Sequence, residues 1–322
     1  MARKIIAWLD SNFITFSLLY HLQKKIDCEF YAIVDITDES KEFFIKQDFI
    51  KFKKIWFYYD SIDLSKKKYD QKYLSKFEEK HGINLCELAI NERTFYQFNS
   101  FYKFTSNEIL SILEQECKLF EDIINQVKPD FCITKEIIQH KDSLFVKICR
   151  SNKIPVLTSS LLKLINKYSI YQKFDEFDID FQLKDIEIED KTFEELRTYL
   201  QKTTNVCKLQ IDASEFLNSK IQKLKAATRY LLQSNSNIKT HYTYFGRTKV
   251  RVLLYEIKSV INKKHRKNFI DKNLLQNLDL EENFVYFPLH VDQENSILIA
   301  TPYHTNQVEI IRQIVKSLPI GY

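Results

Sequence analysis

Hydrophobic and polar positions alternate along the first half of the chain with two different periods. The short, nearly continuous apolar runs KIIAWL, EFYAIVDI and KIWFYYD read as buried strands. Between them, Phe13 to Leu22 and KEFFIKQDFI read as amphipathic helices. After an irregular stretch rich in Tyr and Lys comes SNEILSILEQECKLFEDIINQV, with Ile109, Leu113, Phe120, Ile124 and Val127 at helical spacing. Thr105 and Glu108 form a capping-box pattern at its start, and Pro129 follows its end. A strand DFCIT, a helix over Ser143 to Arg150 and a strand IPVLT complete the series. Continuous apolar strands alternating with helices predict a parallel sheet covered on both faces, an open α/β domain over residues 1–172.

The pattern changes after that point. Phe174 to Glu195 holds ten acids against two lysines, whereas Lys220 to Lys267 holds thirteen Lys and Arg against one acid, Glu256. The whole chain is only +5, so its charge is strongly segregated. The basic part predicts two helices, Ser214 to Gln233 and Arg247 to Lys264, within a middle region over 173–276. Such helices are solvated faces, docks for the acidic segment, or attractors of anionic lipid or a phosphate-bearing substrate. No zinc-finger or RNP-like motif accompanies them, so nucleic acid is not an expected partner. Over 277–322, FVYFPLHV predicts a strand. Asn306 to Leu318 predicts a helix with Asn306 and Glu309 at capping-box spacing and Pro319 at its end. This has the look of the first β–α unit of a second α/β domain.

Composition narrows the chemistry. The three glycines, Gly82, Gly246 and Gly321, cannot build a P-loop or a GxGxxG turn, and no HExxH occurs. Six scattered cysteines without a CxxC read as free thiols of a reducing cytosol. No run of about 18 apolar residues is present to span a membrane, and the start does not have the form of a signal peptide, so a cytoplasmic location is expected. The 25 Phe and 18 Tyr read as core filler rather than sugar-stacking platforms.

Three stretches, INLCELAINERTFYQFN, EILSILEQECKLFEDIINQVKPDFCITKEIIQHKDSLFVKICRSNKIPVL and ENFVYFPLHVDQENSI, resemble the surface-carbohydrate and capsule polysaccharide biosynthesis proteins, which are GT-B type glycosyltransferases. The resemblance implies two facing Rossmann-like domains with the active site between them. The acceptor side falls on the N-terminal domain, and a nucleotide-sugar, as co-substrate, on the C-terminal one. It further implies a glycan or lipid-linked acceptor at the inner membrane face and no metal cofactor; the basic charge of the 220–267 helices adds an expected peripheral contact with anionic lipid. In similar proteins a KEHP-like segment supplies a donor-site histidine after the FPLH stretch. The sequence stops at Tyr322 before such a segment, so an incomplete C-terminal domain is expected. A non-catalytic scaffold and a polyol-phosphate transferase of similar fold are the competing readings.

Candidate residues follow. Glu136 and His140 lie just beyond strand DFCIT, where open α/β sheets bind ligands, and are placed as catalytic base and partner; a solvated helix start and a helix cap are the plainer roles. His290, Glu294 and Ser296, with Thr301, His304 and Thr305 near the last helix, are candidate donor contacts; a polar hinge competes. Asp10, Ser11 and Asn12 end the first strand and are candidate acceptor contacts, against a turn and cap. Asp178 to Asp180 matches a metal-binding DxD only as chance allows in so acidic a segment, and Glu92 with Arg93 reads as an internal ion pair.

Overall fold

The computed structural model describes residues 2–36, 38–90, 92–96, 99–162, 167–172, 192–203, 220–232, 241–274, 284–290 and 304–319. The chain divides into two compact units, one of residues 1–85 with 105–242, the other of residues 86–104 with 243–322.

The first unit is built on a six-stranded sheet in the order β3-β2-β1-β4-β5-β6. Its strands are β1 (Arg3–Leu9), β2 (Cys28–Val34), β3 (Phe52–Phe57), β4 (Phe131–Lys135), β5 (Val156–Leu162) and β6 (Lys167–Tyr171). All neighbours pair in parallel except β5 with β6, which is antiparallel. Its helices are α1 (Ile14–Leu22), α2 (Asp38–Lys46), α3 (Gln71–His81), α6 (Ser106–Val127), α7 (His140–Ser151) and α8 (Phe193–Thr203). The short α4 (Leu85–Ile90) and α5 (Arg93–Tyr96) lie between α3 and α6 in sequence.

Alternation along β1 explains the layering. Ile5, Ala7 and Leu9 join Phe16 and Leu19 of α1 and Phe44 of α2 in one core cluster. Trp8 points the other way and meets Phe120 of α6 and Phe145 of α7, with ring centroids 5.9 and 5.7 Å apart. A strand whose side chains find helices on both faces is apolar throughout, as Ile5 to Leu9 is, and the architecture is a Rossmann-like α/β unit with a mostly parallel sheet. Each buried Ile, Leu or Phe here contributes about 1.5–3 kcal/mol relative to an exposed one.

Helix α6 has the predicted bounds. Thr105 accepts from the Glu108 backbone N–H, and the Glu108 carboxylate accepts from the Thr105 N–H at 2.9 Å, closing the capping box. Beyond shifts of helix bounds and the unexpected antiparallel β6, three segments change type relative to the sequence expectation. KIWFYYD stops being a strand at Phe57 and turns through a 3-10 segment, Tyr58–Ser61, which buries Tyr58 and Tyr59. The stretch read as irregular contains α3. Asp70 Oδ1 caps it by accepting from Lys72 and Tyr73 N–H at 2.9 and 3.1 Å, and Gly82 ends it at φ 65°. FVYFPLHV forms no strand where it is described: 284–290 has no sheet partner, and Tyr286 and Leu289 are exposed.

Within the second unit, Gly246 (φ 77°) lies against residue 101; a Cβ there would stand 2.5 Å from the Phe101 carbonyl oxygen. Asn99 locks this corner, its Nδ2 donating to the Phe245 carbonyl at 2.9 Å and its Oδ1 accepting from Phe101 N–H at 3.0 Å. The second predicted basic helix forms as Lys249–Asn273, and the last helix as Gln307–Ser317, capped by Asn306. Gln307 fixes 290 by a reciprocal pair, accepting from His290 N–H at 2.7 Å and donating to its carbonyl at 2.8 Å. The first basic helix forms as Lys220–Leu232, in the first unit. The acidic segment from 173 to 191 lies outside the described residues. Among the described residues no helix is long and apolar enough to cross a membrane.

Candidate functional site

The connections after β1 and β4 leave toward opposite sides of the sheet, so the carboxyl edges of these neighbours form its topological switch point. Polar residues gather there. Asp10 follows β1, Asp35 follows β2, Lys135 ends β4, Glu136 comes next, and His140, Lys141 and Asp142 open α7.

Two ion pairs organise the mouth. Lys135 Nζ lies 2.8 Å from Asp10 Oδ2, and Lys141 Nζ lies 2.7 Å from Asp35 Oδ1. Lys141 is buried, donates to Tyr59 Oη at 3.2 Å, and stands 4.7 and 4.8 Å from the ring centroids of Tyr58 and Tyr59. Burial works against its charge, but Asp35, Tyr59 and Asp142 outweigh that and hold the ammonium above its ordinary range. Lys135 is raised in the same way: burial opposes its charge, and Asp142, Asp10 and Asp35 overcome it. Asp142 is buried beside both lysines. Its Oδ2 accepts from Ile138 and Gln139 N–H at 3.3 Å each, and its Oδ1 has no hydrogen-bond partner. Burial pushes its carboxyl up, more than Lys135 and Lys141 pull it down.

Beneath this layer Glu116 of α6 is fully buried. Its Oε1 accepts from the Tyr58 hydroxyl and lies 2.9 Å from His140 Nε2, while Oε2 has no partner. The Tyr58 hydroxyl is also 3.0 Å from that of Tyr242. Burial, then the Glu116 charge, pushes the Tyr58 phenol well above its ordinary value. His241 packs its ring 4.0 Å from that of Tyr59, with Nε2 3.2 Å from the Ile36 carbonyl. Trp8 Nε1 is a further buried donor without a partner.

Glu136 is half-buried on the rim. Its charge, after burial, raises the Tyr171 phenol on β6. His140 is buried at the start of α7 and bonded to Glu116. Asp10 closes a turn, its Oδ1 accepting from Asn12 N–H at 3.0 Å, and Ser11 and Asn12 are exposed beside it. His290, His304 and Thr305 are exposed in the second unit, whereas Glu294, Ser296, Thr301 and Asp178 to Asp180 lie outside the described residues. Glu92 is buried and accepts from Thr94 N–H at 2.7 Å.

Sequence reasoning missed Glu116, Asp35, Lys141 and Asp142. One signal was present: Glu116 interrupts the apolar stripe of α6, three residues after Leu113 and four before Phe120. A carboxylate on a buried helix face is kept only when something meets it. The arrangement offers carboxylates with spare lone pairs, oriented by lysines, beside a half-buried glutamate at a sheet edge. Such groups accept hydrogen bonds from a polyhydroxylated ligand and take up a proton. Comparison with protein-family models, curated proteins and solved structures found no match to this chain.

Proposed function

We propose that the protein is a GT-B-like glycosyltransferase of surface-polysaccharide assembly, moving a sugar from a nucleotide-sugar to a glycan or lipid-linked acceptor. The observation that carries this reading is the convergence of Asp10, Asp35, Lys135, Glu136 and Lys141 at the carboxyl edge of β1, β2 and β4. Asp10 and Asp35, held by their lysines, accept from acceptor hydroxyls, with Ser11 and Asn12 beside them. Glu136 takes the proton of the attacking hydroxyl as that oxygen bonds to the anomeric carbon, and the nucleotide departs with the electron pair of the broken bond. His290, His304 and Thr305, with Glu294, Ser296 and Thr301, are assigned to the donor.

Thermal melting against CMP-, UDP- and GDP-sugars tests the reading, followed by product analysis with the nucleotide that binds. One nucleotide class raises the melting temperature, corresponding to about 2.7 kcal/mol at a hundredfold excess over Kd, and glycoside accumulates. A phosphodiester product instead identifies the polyol-phosphate reaction. No shift with any nucleotide, together with intact glycan synthesis by Glu136→Gln, overturns the proposal.

A further inference from the structure

The helix Lys249–Asn273 carries its apolar residues on the outside. None of its 25 residues is buried. With about 100° of rotation per residue, Val250, Leu253, Leu254, Ile257, Val260 and Ile261 fall in one stripe about 120° wide. All six are between 41 and 70% exposed. The opposite face holds the helix to its own unit. Tyr255 meets Phe101 with ring centroids 5.2 Å apart, and Lys258, Asn262 and Arg266 line a cleft with Ser100. An ordinary amphipathic helix turns its apolar stripe inward; here the stripe stays outside and the contact to the unit is made through Tyr255 on the other face.

Charge decides what the stripe meets. The helix has eight Lys and Arg against two acids, Glu256 and Asp271. Arg251 and Lys258 border the stripe on one side; on the other, Glu256 lies within its span and Lys267 follows six residues beyond Ile261, all four exposed. A second copy of this surface would set like charges against one another. An apolar band on a helix with a net excess of six cations, flanked on one side by the long side chains of Arg251 and Lys258, matches a bilayer interface. There the band enters the acyl boundary, and the ammonium and guanidinium groups reach lipid phosphates along their apolar stems.

We propose that the Val250–Ile261 stripe docks on an anionic phospholipid surface with the helix lying in the membrane plane, Arg251, Lys258 and Lys267 contacting the headgroups. The inference stands apart from the transferase reading, because docking needs no turnover. Sedimentation of the full chain with phosphatidylcholine vesicles, with and without phosphatidylglycerol, tests it. The protein sediments with the anionic vesicles, is released by high salt, and stays free of the neutral ones. Leu254→Asp with Ile257→Asp weakens binding at least about tenfold, and Arg251→Glu at least about fivefold. Both leave circular dichroism and the melting temperature unchanged, because the substituted side chains are exposed. Equal binding to neutral vesicles or no binding to anionic ones overturns the proposal. So does a dimer in sedimentation velocity that Ile257→Asp dissolves, since a second copy then covers the stripe.

Discussion

Glu116 accepts from Tyr58 and pairs with His140 while fully buried, so its removal strands two polar groups at once. Glu116→Ala is expected to cost about 2–4 kcal/mol, read from urea unfolding, whereas Glu116→Gln keeps an acceptor and costs less. An equal loss from both variants would mean that Tyr58 and His140 require the carboxylate itself and that a retained acceptor of the same volume does not replace it. Glu121 gives the pH counterpart. Burial raises its carboxyl, but hydrogen bonds from His81, Lys80 and Tyr73 outweigh this and hold it below the ordinary value of 4.5. A depressed carboxylate contributes stability that is complete above its unfolded pKa and is lost as pH falls through the folded one. Glu121→Gln is therefore destabilised near neutrality and unfolds over a shallower acid limb than the unsubstituted protein. Parallel acid limbs would remove Glu121 from the account.

At the scale of elements, the second unit depends on one corner. Gly246→Ala meets both a left-handed φ and the Phe101 carbonyl, and is expected to cost about 1–3 kcal/mol. Limited proteolysis should then cut near 246 sooner, with the sheet of the first unit unaffected; an unchanged digestion pattern would contradict the close approach. Elements were legible where local chemistry and tertiary demand agree. Thr105, Glu108 and Pro129 bracket α6 in the sequence as they do in space. Asp70 and Gly82 bracket α3 in the same way, and Leu74 and Phe77 sit three apart between them, so that helix was readable and was lost among its lysines and tyrosines. FVYFPLHV shows the opposite case. Its composition favours a strand, but strand formation needs a neighbour to pair with, and 284–290 has none among the described residues.

At the scale of the molecule, the carboxyl edge of the sheet was legible because polar residues directly follow apolar strands, as Asp10 and Glu136 do. The layer beneath was not. Glu116 reaches His140 across 24 positions, Lys141 reaches Asp35 across 106, and Tyr242 reaches Tyr58 across 184. No local period encodes contacts at such separations; only the folded sheet order brings them together. The central claim is that this edge holds an acceptor and that Glu136 takes its proton. Turnover of the matching nucleotide-sugar and acceptor, measured for the unsubstituted protein and for Glu136→Gln, tests it most directly. The account predicts a fall in kcat of about 10²–10⁴-fold with KM for the donor little changed. A Glu136→Gln variant that turns over at the original rate would contradict it.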